Sequence, residues 1–278
     1  MPPHPEPPAN PAAEPGIAAH LFVDDGRGLH DELDIGGADG HHLQRARRIA
    51  AGEELTVADG DGRWRRYRVD GVGKGSLHLV ASGGLLVEAP PRYEIVAAPA
   101  LISRSRFDGV VAQLTELGVD AIVPLVSERC VTRWDRGDPA TVTARLRAVA
   151  REAAMQCRRS RVPRVDAPAT PSQIASRGAR VVVTSRDARP HECDDDARPH
   201  EFGDARRAAR APSDSDGPSE TRAIVVVSGP EGGFSARDMT DLGEHICLCL
   251  GAYVLRAETA PIAAVALLTE RRDRRDAC

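Results

Sequence analysis

The chain has 278 residues, of which 41% are hydrophobic and only 3% aromatic, and its net charge is −4. That length fits one large or two ordinary domains, and a core built mainly of Val, Leu, Ile and Ala suits an α/β protein. Lys74 is the only lysine beside a large arginine complement. It lies in Gly-Val-Gly-Lys-Gly, without the spacing or the following Ser/Thr of a phosphate-binding P-loop, so that chemistry and Schiff-base catalysis are set aside.

Residues 1–16 are proline-rich and read as a disordered tail. From 17 to 88 short alternating runs are separated by glycine and aspartate. Leu55–Ala58 leads into Asp59-Gly60-Asp61-Gly62 and then Trp64–Val69, the pattern of a β-hairpin. With Ala19–Val23 and Gly75–Val80 this describes a small β-barrel. One helix-like insert, His41–Ala51, carries Arg45, Arg47 and Arg48.

From 92 to 272 the period changes. Strands are expected at 94–98, 121–125, 179–184, 223–228 and 246–250. Phe107, Val110, Val111, Leu114 and Leu117 mark an amphipathic helix ended by Gly118. A second helix spans about 140–158, and a third starts at Ser235 with a capping box to Asp238. A last helix covers about 258–271. Strands alternating with helices imply a mostly parallel sheet covered on both faces.

The segment 186–222 interrupts this domain with ten acidic residues, seven arginines and a duplicated Asp-Ala-Arg-Pro-His-Glu. Its composition predicts a disordered insertion. It also holds His191, Cys193 and His200, which do not form a convincing metal set. The six cysteines show no CxxC, so they read as small apolar residues in a reducing cytosol. No metal is expected. No apolar run is long enough to cross a membrane, and a soluble cytoplasmic protein is expected.

Chemistry concentrates in two clusters. Ser228-Gly229-Pro230-Glu231-Gly232-Gly233-Phe234-Ser235 follows an apolar strand, and Leu250-Gly251-Ala252-Tyr253-Val254-Leu255-Arg256-Ala257-Glu258-Thr259-Ala260 follows another. Glycine turns at strand ends let backbone approach a ligand. A nicotinamide-dependent dehydrogenase would need GxGxxG early in a βαβ unit, and the chain has none there.

Taken in order, several segments resemble one family. They are His42-Leu43 with Arg45, Thr115–Val119, Ser127-Glu128-Arg129, Glu152-Ala153-Ala154 with Gln156, Arg161-Val162-Pro163, Gly229–Gly233 and Leu255–Ala260. Together they are similar to the bacterial 16S ribosomal RNA uridine-N3 methyltransferases of the RsmE type, in the SPOUT superfamily. The resemblance covers about 20–270 without 186–222. It implies a PUA-like N-terminal RNA-binding domain and a C-terminal α/β trefoil knot. It also implies S-adenosylmethionine as cofactor, 16S rRNA of the small subunit as substrate, and a homodimer. Two family lysines are absent; Ile102–Arg106 and Gln113 stand there, and Arg104 and Arg106 supply positive charge instead. Met155 replaces a family glutamate.

Under that resemblance the cofactor would meet Val227, Gly229, Pro230, Glu231, Gly232 and Gly233. On the other side it would meet Leu248, Leu250, Gly251, Leu255, Thr259 and Ala260. Arg256, Glu258 and Glu231 are the catalytic candidates, for charge stabilisation and for taking the N3 proton. Arginine–carboxylate pairs that merely order the cleft are the alternative. RNA contacts are expected from Arg45, Arg47, Arg48, Arg65, Arg66, Arg68, Arg104, Arg106, Arg129 and Arg161, with Trp64 and Tyr67 as stacking candidates. A non-catalytic RNA-binding module is the competing reading; it would keep the barrel and need no ligand cleft.

Overall fold

The computed structural model describes residues 10–23, 28–131, 139–177, 179–184 and 223–276. The insertion 186–222, with its three metal candidates, and residues 1–9 lie outside them. The chain forms two compact units, residues 1–90 with 151–162, and residues 91–150 with 163–278. The first unit thus includes a segment that the sequence pattern assigned to the second.

In the first unit, strands β1 (Ile17–Phe22), β2 (Glu32–Ile35), β3 (Glu54–Ala58), β4 (Arg63–Val72) and β5 (Leu77–Ala81) pair in the order β1-β3-β4-β5-β2. A short β6 (Leu86–Val87) pairs with β4. All pairs are antiparallel except β1–β3. Among the described residues no pairing links β2 back to β1. The sheet path ends at β1 and β2, and residues 24–27 between those two strands lie outside the described ones. The β3–β4 hairpin forms where Asp-Gly predicted it. The Asp59 carboxylate accepts from the Asp61 and Arg63 amides at 2.8 and 3.0 Å, and Gly60 and Gly62 take positive φ.

Residues 10–16, the end of the segment read as a tail, are among the described residues. Asn10 caps a 3-10 turn at Pro11–Ala13, and Glu14 pairs with Arg66 at 3.3 Å. The expected helix at 41–51 instead comprises α1 (Gly37–His42) and a π-helical turn at Leu43–Arg47.

Strand β4 is covered on both faces around Trp64 and Tyr67. Tyr67 and Val69 enter the larger core with Leu55, Leu77 and Leu79, whereas Trp64 enters a second core with Phe22, Ala58 and Ala154. The 151–162 segment builds that second core. Its arginines donate to strand carbonyls, Arg151 to Phe22 at 2.9 Å and Arg158 to Ile17 at 2.8 Å. Val162 N donates to Gly60 O at 2.9 Å. Trp64 and Tyr67 are fully buried, so neither can stack a base. The hydrophobic effect claimed them because both faces of β4 are interior at these two positions.

The second unit holds β7 (Glu94–Pro99), α2 (Arg104–Glu116), β8 (Ala121–Ile122), the start of α3 (Pro139–Gln156), β9 (Arg164–Val165), α4 (Pro171–Ala175), β10 (Arg180–Thr184), β11 (Ala223–Ser228), α5 (Ala236–Leu242), β12 (Ile246–Leu248) and α6 (Thr259–Asp276). Its sheet is wholly parallel, in the order β12-β10-β11-β7-β8-β9. The central strands β7 and β11 are almost entirely buried, as their unbroken apolar runs require. The expected stripe of α2 is realised: Phe107, Val110, Val111 and Leu114 are buried and Gly118 takes φ 92° after the helix. The predicted capping box also forms, with Asp238 N donating to Ser235 Oγ at 3.0 Å and Ser235 N to Asp238 Oδ2 at 2.9 Å. Among the described residues no helix is long and apolar enough to cross a membrane.

Candidate active site

Three adjacent parallel strands, β12, β10 and β11, end side by side at Leu248, Thr184 and Ser228. Beyond their carboxyl ends lies a cleft of about 460 Å³, the usual ligand position in open parallel sheets. Each strand hands the chain to a loop there. Thr184 Oγ1 donates to Ser228 Oγ at 3.0 Å and closes the floor between β10 and β11.

The loop after β11 supplies Gly229 to Phe234, and the loop after β12 supplies Leu250 to Leu255, with Ala257 and Ala260. Both glycine clusters of the sequence therefore face one space. Their glycines serve different ends. Gly233 and Gly251 have φ of 70° and 127°, which require glycine. A Cβ on Gly229 would come within 3.0 Å of the Phe234 ring, and one on Gly232 within 3.4 Å of Arg129 Cβ. Gly229 thus makes room for a neighbouring aromatic ring as well as for a ligand.

Leu248, Leu250 and Leu255 line the cleft as expected, joined by Phe234 and Met239, which the sequence reading did not pick. Met239 follows from the capping box, which aims the first turn of α5 at the cleft; Phe234 sits in the glycine motif itself. Val227 is buried inside β11 and lies behind the lining. Thr259 is exposed as the first residue of α6 and is also outside the lining.

The polar residues are arranged by one arginine. Arg106, in the first turn of α2, reaches Glu231 Oε1 at 3.5 Å and Glu258 Oε2 at 3.4 Å. Its Nε donates to Ser103 Oγ at 2.9 Å. Glu258 also meets Arg256 at 3.9 Å. The arginine–carboxylate pairs weighed as the alternative are thus present at this edge. Glu231 lines the cleft, whereas Arg256 and Glu258 do not. The Arg256 side chain is 83% exposed and that of Glu258 only 22%. The Arg256 carbonyl accepts from the Thr259 and Ala260 amides and starts α6. Arg129 lines the cleft and donates to Gly232 O at 3.1 Å. Asp238 of α5 secures its loop by accepting from Glu128 N at 3.1 Å.

The other arginines separate into two groups. Arg65 is held by Asp31 at 2.6 Å and by Gly83 O at 2.8 Å, and Arg66 pairs with Glu14 and Glu54. Arg161 donates to Glu88 O at 2.7 Å, and its guanidinium occupies the space where a Cβ on Gly62 would lie. These three stabilise the first unit. Arg45, Arg48, Arg68 and Arg104 are exposed. The Arg47 side chain lies outside the described part of the structure.

The cleft fits S-adenosylmethionine in kind. Its volume is that of a small-molecule site, with apolar walls for an adenine, glycine backbone close by, and Arg129 and Glu231 offering opposite charges to a zwitterionic tail. Residues 89–269 match the family model of an RNA methyltransferase domain, and 35–82 that of an RNA methyltransferase PUA domain. A ribosomal RNA small subunit methyltransferase E from Mycobacterium bovis is 31% identical, covering 86% of this chain and 87% of its own. One from Bacillus subtilis is 24% identical, covering 84% and 88%. The crystal structure of such an enzyme from Neisseria gonorrhoeae, bound to S-adenosylmethionine, is 24% identical with a TM-score of 0.67 over 89% of this chain and 95% of that one. The chain belongs to the ribosomal RNA small subunit methyltransferase E family.

Proposed function

We propose that this protein methylates N3 of a uridine in the 16S rRNA of the small ribosomal subunit, using S-adenosylmethionine bound at the ends of β10, β11 and β12. The observation that carries this reading is the convergence of both glycine loops on one cleft of suitable size. A module that only bound RNA would not need such a cleft. The cofactor supplies an electrophilic methyl group when bound.

The chain's own residues then have three tasks. Gly229–Gly233, with Leu248, Leu250, Gly251 and Leu255, hold the cofactor by backbone proximity and apolar contact. Arg129, Arg104 and Arg68 give exposed positive charge for phosphates. Glu231, on the cleft wall, takes the N3 proton, directly or through water, because the ring nitrogen has no free lone pair until that proton leaves. Arg106 positions Glu231, and Arg256 offers a cation to the charge that develops on the uracil oxygens. The target must be unpaired or flipped to reach the cleft.

The finer features of the family belong to the same proposal: a trefoil knot in the second unit, a homodimer, and a cytoplasmic location. Calorimetry with S-adenosylmethionine and NAD, together with mapping of methylated positions on undermethylated small subunits, tests it. Micromolar S-adenosylmethionine binding, no NAD binding and one new N3-methyluridine are expected. Absence of cofactor binding would sink the enzymatic reading.

A further inference from the structure

Phe, Tyr and Trp are scarce in this chain, and nearly all that the structure describes are interior. Trp64, Tyr67, Tyr93, Phe22 and Phe107 are buried, and Phe234 packs against the core of the second unit. Tyr253 differs. It borders the cleft, yet 88% of its surface is exposed. Among the described residues it is the only exposed ring of a Phe, Tyr or Trp.

Its placement has a local cause. The loop after β12 passes through Gly251 at φ 127°, and residues 252–254 adopt no regular structure. That loop carries Tyr253 outward with Val254, which is also exposed. Three residues on, the Arg256 side chain is extended into solvent. An exposed ring and an exposed guanidinium on one loop are the chemistry that holds an unpaired base: the ring stacks on it and the cation faces its carbonyl oxygens.

We propose that Tyr253 stacks on the unpaired pyrimidine base that enters this cleft, and so sets substrate affinity and not cofactor affinity. This rests on the methyltransferase reading above. A tyrosine suits the task because its ring is rigid and its hydroxyl tolerates water. A second copy of the chain covering Tyr253 and Val254 is the competing occupant.

The test uses the full-length protein and undermethylated small ribosomal subunits. Wild type, Tyr253→Ala and Tyr253→Phe are compared for KM and kcat, for S-adenosylmethionine affinity by calorimetry, and for molar mass by ultracentrifugation. Because the ring is exposed, neither change should disturb folding. Tyr253→Ala should raise KM for the subunit about tenfold, with cofactor affinity and molar mass unchanged. Tyr253→Phe should stay within about twofold of wild type, since stacking needs the ring only. An active wild type with Tyr253→Ala equal to it would overturn the stacking role alone. So would a Phe variant as impaired as the Ala variant, parallel loss of cofactor affinity, or a fall in molar mass. A wild type that methylates no small-subunit RNA would instead remove the reading beneath it.

Discussion

The Arg106 guanidinium reaches the Glu258 carboxylate at 3.4 Å across 152 positions of sequence. Its other nitrogen meets Glu231 at 3.5 Å. One side chain from α2 thereby joins the loop after β11 to the turn before α6. Both carboxylates were catalytic candidates in the sequence; the structure adds the cation that holds them.

Arg106→Ala should therefore weaken S-adenosylmethionine binding by roughly two- to fivefold, because each exposed pair contributes only about 0.2–1 kcal/mol. Global stability should change by less than about 1 kcal/mol. Arg106→Lys should recover part of the loss, since an ammonium cannot span both carboxylates as a guanidinium fork does. Calorimetry and urea unfolding check this. An unchanged cofactor affinity in the Ala variant would show that the loops need no clamp.

Arg256→Ala should separate chemistry from cofactor binding. The side chain is exposed and outside the cleft lining, and only its backbone carbonyl starts α6. Methylation should fall on the order of 10²-fold if Arg256 stabilises charge on the base, with cofactor affinity nearly intact. Equal loss of both would make Arg256 a structural residue.

How much of this site was readable in advance follows from the range of each interaction. The glycine loops, the Ser235–Asp238 box and the α2 stripe depend on neighbours within a few residues, and each is legible in sequence. The Arg106 bridge depends on chain folding that brings positions 106, 231 and 258 together, and no local pattern encodes it. The same holds for Trp64 and Tyr67. Alternation with arginines suggested one wet face on β4, but the distant 151–162 segment covers that face at Trp64 and turns this end of it into core.

Gly251→Ala should impair the cofactor site without touching the core. Nothing lies within 4 Å of the added Cβ, so no clash arises. The cost is backbone strain at φ 127°, on the order of 1–3 kcal/mol. The loop should relax to relieve it, and S-adenosylmethionine affinity should fall while the unfolding midpoint barely moves. By contrast, Gly229→Ala should act through the Phe234 ring, which must shift by a few tenths of an ångström. Comparing the two by calorimetry and near-ultraviolet circular dichroism distinguishes strain from displacement.

The first unit should lose stability in mild acid. His20 is buried, its Nδ1 is 2.8 Å from Thr56 Oγ1, and its Nε2 is 2.8 Å from the Arg159 carbonyl. Burial lowers its pKa to about 4; the Arg159 carbonyl opposes that shift and the Arg158 charge adds to it. The unfolded chain takes up this proton near pH 6.5, whereas the folded chain resists it until about 4. The unfolded state thus binds more protons between those values, and stability rises with pH there. The contribution is complete above about pH 6.5 and is lost as pH falls towards 4, for a total of roughly 3 kcal/mol. Urea unfolding of wild type and His20→Gln between pH 4 and 7.5 should give curves that converge in acid. Parallel curves would contradict the assignment.

The second unit should depend heavily on one buried ion pair. Arg272, near the end of α6, is 7% exposed and donates from Nη1 to Asp120 Oδ2 at 2.6 Å and from Nη2 to Gly118 O at 3.0 Å. Asp120 Oδ2 also accepts from Ile95 N at 2.8 Å, which fixes the first residues of β7. Burial alone would lower the guanidinium pKa, but the Asp120 and Asp273 carboxylates together more than offset it, and the net shift is upward. Arg272→Ala would leave that carboxylate charged and nearly dry with a single amide donor, so a loss of about 3–5 kcal/mol is expected. Asp120→Asn combined with Arg272→Met should recover a large share, because it removes the stranded charge and keeps the volume. The cleft meets α6 only at its opposite end, through Ala260. Cofactor affinity measured at low temperature on the folded Ala variant should therefore match wild type. Urea unfolding and calorimetry on the three proteins check the set, and a double variant no more stable than Arg272→Ala would contradict the stranded-charge account.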